Sequence, residues 1–209
     1  MSGKFITFEG SEGSGKSTHA KLLADYLKKK RFSVELLREP GGTKISEQIR
    51  KIILDPKNKS MSDICEVLLY MAARIQVVKE VIKPALAKGK IVICDRFLDS
   101  TIVYQGFGGG IDIDFIKKLG EVATLGIKPD LTFLLDIETK EGLRRAGKIK
   151  DRIELKSLKY HRRVRRGYLT LAKREPRRIK VIQVKKNGKK QNQELIRKQI
   201  NKLLCLLKK

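Results

Sequence analysis

Gly10, Ser11, Glu12, Gly13, Ser14, Gly15, Lys16 and Ser17 spell G-S-E-G-S-G-K-S, which fits G-x-x-x-x-G-K-[ST]. Glycines at this spacing let the backbone curl until successive N–H groups point inward at phosphate oxygens, and a following helix adds the positive end of its dipole. Lys16 supplies a cation and Ser17 a hydroxyl ligand for Mg²⁺, so the string predicts a triphosphate nucleotide as ligand. The simpler alternative is a glycine-rich turn with a solvated lysine. Against it, the apolar run Phe5-Ile6-Thr7-Phe8 precedes the string and a helical pattern starting at Thr18 follows, which is the order a phosphate cradle needs. No G-x-G-x-x-G is present here, so the dinucleotide fingerprint fails.

A P-loop alone does not separate a kinase from a GTPase, an ATPase motor or a binding module. Asp95-Arg96 ends another apolar run and offers a carboxylate to the Mg²⁺ shell and, one residue later, a guanidinium suited to bidentate phosphate contact. Arg38 holds the equivalent place after the second run, where Glu-Pro-Gly-Gly imposes a tight turn compatible with a cis bond at Pro40. Two arginines can thus face one acceptor phosphate. Tyr70 and Arg74 are four apart on one predicted helix and project to the same side, as do Thr101 and Gln105 on another, with Tyr104 between them.

The elements that must position these residues are short apolar β-rich runs at Phe5–Phe8, Val34–Leu37, Ile91–Cys94, Leu131–Leu135 and Val181–Val184, with helical patterns between them. That alternation predicts an α/β fold of the P-loop NTPase type, a five-stranded parallel sheet with helices on both faces, whose strands read as continuous apolar runs. Ligands then bind at the carboxyl ends of the strands, which is where the P-loop, Arg38-Glu39-Pro40-Gly41-Gly42, Asp95-Arg96 and Asp136 fall. From Ser62, a plausible N-cap, to Lys83, the apolar residues Ile64, Leu68, Met71, Ile75, Val78 and Ile82 predict one long helix with a buried stripe, Tyr70 and Arg74 lying beside it. Residues Lys140 to Lys159 carry two glycines and eight basic residues and read as a flap too polar for the core. Lys185 to Gln193 reads as a polar loop before a last amphipathic helix with Leu195, Ile196, Ile200, Leu203 and Leu204.

The 209 residues, 41% hydrophobic, are expected to form one domain, 1–209. Met1 to Lys4 lead straight into the first strand without room for a signal peptide, and no apolar stretch is long enough to cross a bilayer, so a cytoplasmic protein without membrane attachment is expected. Three cysteines without C-x-x-C spacing, each among apolar neighbours, read as reduced core residues, and two distant histidines argue against zinc. The net charge is +25, and from Glu138 to Lys209 there are 26 Lys plus Arg against 6 Asp plus Glu. Such a field draws polyanions, but aromatics make up only 6% and do not interleave with the basic residues, which argues against specific nucleic-acid binding and for a basic face that steers anionic substrates.

Four segments together carry a resemblance: F-E-G-S-E-G-S-G-K-S-T from Phe8, R-E-P-G-G-T from Arg38, L-L-Y-M-A-A-R-I-Q from Leu68 and D-R-F-L-D-S-T-I-V-Y-Q-G from Asp95. The chain resembles the thymidylate kinases, homodimeric enzymes that pass the γ-phosphoryl group of ATP, with Mg²⁺, to dTMP. The resemblance implies that residues 10–18, Gly10 through Thr18 within the P-loop segment 8–18, hold ATP. It makes Ser17 and Asp95 the Mg²⁺ ligands, and places dTMP among Glu12, Arg38, Tyr70, Arg74, Arg96, Thr101, Tyr104 and Gln105. Tyr70 and Arg74 would serve the thymine, and Tyr104 would disfavour a 2′-hydroxyl. Lys16, Asp95 and Arg96 would act in catalysis. With Glu12 and no arginine in the P-loop, the chain resembles the bacterial type, which supplies its catalytic arginine from a lid, here residues 138–154. That position falls on Arg144, Arg145 or Lys148, with Arg145 preferred. Arg152, in D-R-I-E, fits the motif at the lid's far end or else pairs with Asp151 or Glu154. Gly108-Gly109-Gly110 departs from the family pattern, which often has an arginine there. The alternatives are a kinase for another nucleoside monophosphate and, further off, a basic P-loop ATPase acting on nucleic acid.

Overall fold

The structure is a computed structural model that describes residues 3–147, 151–185 and 188–205. Strands β1 (Lys4–Glu9), β2 (Val34–Arg38), β3 (Ile91–Asp95), β4 (Leu131–Asp136) and β5 (Ile179–Gln183) form one parallel sheet in the order β2-β3-β1-β4-β5. Because successive side chains alternate across a strand, β1 splits its residues between two layers. Ile6 and Phe8 face α1 (Lys16–Lys29) and α9 (Lys189–Cys205), meeting Leu23, Leu27, Ile196 and Ile200. Phe5 faces the other way, onto Val77, Val78, Ile82 and Phe97. A third cluster, around Val67, Val103, Ile116 and Val164, joins α3 (Asp63–Val77), α6 (Ile113–Thr124) and α8 (Leu158–Arg174).

The parallel registers carry the chemistry. Asp95 is level with Phe8 on one side and Arg38 on the other, so the carboxyl ends of β1, β2 and β3 finish in one row. Everything that follows those ends emerges at the same edge.

The sheet matches the predicted class, with shifts that have physical causes. The fifth strand starts two residues earlier than its apolar run and stops at Gln183, because Ile179 is the residue that pairs with Thr132 and packs inward. The edge strands are not buried throughout: Leu36 and Val181 are exposed, since an edge strand has one neighbour rather than two. The expected stripe of the long helix holds only in part. Met71, Val78 and Ile82 are buried as expected, but Ile64 and Leu68 are exposed, and Glu66, Val67, Arg74 and Val77 are buried in their place. The register changes again where α3 runs into a wider π turn, Val78–Ile82, before α4 (Lys83–Ala87). Ser62 does cap α3, accepting from the Cys65 N–H at 3.3 Å. Cys94 is buried but Cys65 is exposed, contrary to a core role; the side chain of Cys205 lies outside the described residues. The final helix begins at Lys189, inside the expected loop, because Asn192 and Gln193 are buried and Gln193 bonds His19 on α1 at 2.7 Å; Leu195 is exposed.

Candidate active site

At that edge lies a cavity of about 470 Å³, and the P-loop, the β2 turn, α3 and the segment after β3 all contribute to its wall. The P-loop wraps Lys16, whose Nζ donates to the Ser11 carbonyl at 2.9 Å and lies 3.5 Å from Ser14 Oγ. Burial first, then the neighbouring Arg96 charge, hold the Lys16 ammonium below its ordinary range. Gly10, Gly13 and Gly15 all have positive φ, the conformation that lets the backbone curl. The helix starts at Lys16 itself, two residues before the pattern begins, and Thr18 is exposed on its first turn beside the cavity.

Ser17 Oγ donates to Asp95 Oδ2. The other oxygen of Asp95, Oδ1, is buried without a hydrogen-bond partner among the described residues. A hydroxyl and a carboxylate with a spare oxygen, side by side at a phosphate cradle, are a donor set that fits Mg²⁺.

Arg96 follows with φ 71°, left-handed backbone that costs a non-glycine residue about 1–2 kcal/mol. The turn is fixed from both sides: the Arg96 N–H donates to Phe8 O at 2.9 Å and the Phe97 N–H to Glu9 Oε1 at 2.8 Å. Arg96 Nη2 reaches both oxygens of Glu12 at 3.0 Å, and Tyr104 OH donates to Glu12 Oε1 at 2.6 Å. Burial raises the Glu12 carboxyl, but Arg96 and then Lys16 outweigh it and draw it down to about 2. Burial likewise opposes the Arg96 charge, and Glu12, Tyr104 and Tyr168 outweigh it, so its net direction is upward.

Arg74 is buried, not beside the buried face but within it. Its Nε donates to Glu39 Oε2 at 2.8 Å and its guanidinium lies 5.4 Å from the Phe97 ring centre. Tyr70, one turn earlier, lines the cavity with Arg74, Thr101, Tyr104 and Gln105. The segment after Asp95-Arg96 is not a plain α-helix: α5 (Leu98–Thr101) passes into a π-helical stretch, Ile102–Gly108, which carries Tyr104 and Gln105. Arg38 lies at the rim, half exposed and paired with Glu47 at 3.0 Å, after which the Glu39–Pro40 bond is cis. The glycine run has a packing reason: a Cβ on Gly108 would lie 2.8 Å from the Tyr160 ring, and one on Gly109 2.6 Å from Gln105 O.

The expected lid divides in three. Helix α7 (Thr139–Ala146) packs on the P-loop so closely that Gly13 and Gly142 meet backbone to backbone. It places Arg145 on the cavity wall, with Nε donating to Glu141 at 2.7 Å, whereas Arg144 is 71% exposed and off the wall. Lys148 lies outside the described residues. Residues 151–156 are not a solvated flap, because Arg152 and Ile153 are buried. Arg152 pairs with Glu66 rather than Asp151 or Glu154, at 2.5 Å, and its Nε donates to Ile53 O at 2.8 Å. Asp136 is engaged structurally, gripped by Arg165 at 2.7 and 2.9 Å.

Three carboxylates escaped sequence reasoning. Glu9 ends β1 and accepts from Phe97 N, Ser100 Oγ and Tyr168 OH; burial first, then Asp99, push it up to about 7. Glu39 holds Arg74, and Glu66 holds Arg152 and Gln105. The signals were present: an acid closing an otherwise apolar strand, and an acid one turn before Tyr70.

A P-loop, a carboxylate on its serine, and Tyr70 and Arg74 on the wall of the same cavity define a nucleoside monophosphate kinase. The family model described as thymidylate kinase matches residues 8–196. A thymidylate kinase of Symbiobacterium thermophilum is 51% identical over 179 residues, covering 85% of this chain and 84% of that protein. One from Geotalea daltonii is 51% identical over 189 residues, 86% and 88% of the two chains. The crystal structure of thymidylate kinase from Ehrlichia chaffeensis superposes with a TM-score of 0.73 at 39% identity, over 87% of this chain and 93% of that one. The chain belongs to the thymidylate kinase family.

Proposed function

We propose that the protein transfers the γ-phosphoryl group of ATP to dTMP, making dTDP for dTTP synthesis. The observation that carries this reading is the single cavity in which Lys16, Asp95 and Arg96 share walls with Tyr70, Arg74 and Gln105, so that donor and acceptor phosphates can meet between cradle and base slot. Phosphoryl transfer needs alignment and charge neutralisation more than covalent help. Lys16 and Arg96 neutralise phosphate oxygens, and Arg145 approaches from α7 as the lid's contribution. Glu12 and Tyr104 aim Arg96, and Arg38 guides the acceptor phosphate from the rim. Tyr70 offers a stacking face and Arg74 a donor to the thymine 4-oxo group. Ser17 and Asp95 would hold Mg²⁺, which would supply charge compensation at the phosphates when bound.

Residues 138–154 serve as the lid of a single domain spanning the chain. A homodimer is supported by exposed apolar side chains on three adjacent helices: Ile45 and Ile52 on α2 (Lys44–Leu54), Ile64 and Leu68 on α3, and Phe115 and Val122 on α6. Among the described residues no helix is long and apolar enough to cross a membrane, and the protein's place is the cytoplasm, where its substrates are.

The deciding experiment offers purified protein ATP, Mg²⁺ and each nucleoside monophosphate in an ADP-release assay. dTMP is expected to give the highest kcat/KM. A better acceptor elsewhere in the panel, or ADP release driven by nucleic acid without any monophosphate, would overturn the reading.

A further inference from the structure

Glu66 has no place in the phosphate chemistry, yet it is buried in α3 one turn before Tyr70 and its two oxygens serve two different parts of the site. Oε1 accepts from Gln105 Nε2 at 2.7 Å. Oε2 faces Arg152 Nη2 at 2.5 Å, an ion pair rather than an aligned hydrogen bond, with Lys156 Nζ at 3.8 Å. Arg152 is tied to α2 as well, through its Nε to Ile53 O and its N–H to Leu54 O at 3.1 Å.

The first contact fixes a choice that a free glutamine leaves open. An amide presents a donor end and an acceptor end of nearly equal shape, and only its partners decide which way it points. A carboxylate flanked by Arg152 and Lys156 accepts only, so it takes the Gln105 amino group and leaves the carbonyl oxygen as the end available to the cavity that Gln105 lines. An acceptor there suits a pyrimidine whose ring N3 carries hydrogen, as in thymine and uracil. It opposes cytosine, whose N3 carries a lone pair.

We infer that Glu66 is a positioning residue for base choice: it locks Gln105 as an acceptor, against 4-amino pyrimidines, and joins that lock to the far end of the lid through Arg152. The inference rests on the functional reading above and deepens it. A flipped amide would leave two acceptors facing each other in a buried site, so the lock persists only while Glu66 stays a carboxylate.

Glu66→Gln removes the constraint while keeping size, because an amide can pair with Gln105 in either orientation. In the full-length protein with ATP and Mg²⁺, the expected result is at least a tenfold fall in the ratio of kcat/KM for dTMP to that for dCMP, through a higher KM for dTMP, with the KM for ATP changed less than twofold. A merely structural Glu66 would lower melting temperature and active fraction while leaving that ratio alone, and this outcome overturns the proposal. If Glu66→Gln does not yield folded protein, Glu66→Asp decides: it keeps the charge but is one methylene too short to reach both partners, and the same fall in ratio is required. Wild-type protein that does not use dTMP would overturn the functional reading and the inference together. Wild-type activity with unchanged ratios in the variants overturns the inference alone.

Discussion

Gly13→Ala tests whether the P-loop and α7 work as one clamp. Gly13 has φ 64°, and a Cβ there would sit 2.1 Å from the Gly142 carbonyl oxygen and 2.9 Å from Arg145 Cβ. Non-bonded carbon and oxygen settle no closer than about 3.3 Å, so α7 or the loop must retreat by about 1 Å. The atoms that move are backbone, and Arg145 travels with them. A misplacement of about 1 Å at reacting groups costs on the order of 10²-fold in rate, or about 2.7 kcal/mol of barrier. Left-handed backbone at alanine adds about 1–2 kcal/mol of instability, a fall of roughly 2–8 °C in Tm for a chain of this size. Gly126→Ala supplies the control: its φ is 74°, but nothing lies within 4 Å of the added Cβ. Steady-state ADP release with saturating ATP and dTMP, alongside thermal denaturation, separates the two effects. Both variants should lose a few degrees of Tm, and only Gly13→Ala should lose about 10²-fold in kcat. A Gly13→Ala enzyme within threefold of wild type would show that α7 does not need its observed seat on the P-loop.

Lys16→Ala is expected to lower kcat by 10²-fold or more with the fold intact by circular dichroism, because the proposed mechanism assigns Lys16 as a cation at the transferring phosphate; unchanged turnover rejects that role. Arg145→Ala should cost at least tenfold in kcat and Arg144→Ala less than twofold, and the reverse order would move the catalytic position. For Arg74→Ala, kcat/KM for dTMP should drop 10- to 100-fold with ATP affinity nearly constant, whereas equal losses for both substrates would mark Arg74 as structural. The Glu12 carboxyl, held at about 2 in the fold against an ordinary 4.5, binds fewer protons folded than unfolded. Its contribution, about 3 kcal/mol, is therefore present above pH 4.5 and lost as pH falls towards 2. Denaturant titrations at pH 6 and pH 3 should show a smaller acid-side loss in Glu12→Gln than in wild type, and parallel losses would refute the assignment.

Much of this site was legible as residue types in order. G-S-E-G-S-G-K-S after an apolar run, and acid or arginine closing three more runs, are local facts: a strand's length and the residue that follows it are set by neighbouring residues in the chain. Parallel pairing then had to bring those ends to one edge, since crossover helices return each strand in the same direction. Residues 138–154 were legible only as charge. That Arg145 faces the cavity while Arg144 faces water follows from α7 resting on Gly13, a contact between residues 129 apart in sequence.

The sequence by itself determined the P-loop, the parallel α/β sheet and the Tyr70–Arg74 pair one turn apart on the third helix, because each is written in spacing along a few turns or strands. Tertiary structure alone decided which charges were consumed by other charges. Arg74 went to Glu39, Arg152 to Glu66 and Asp136 to Arg165. Such pairings depend on distances across the fold, where a buried ion is tolerated only beside its counterion, and no period in the chain records them.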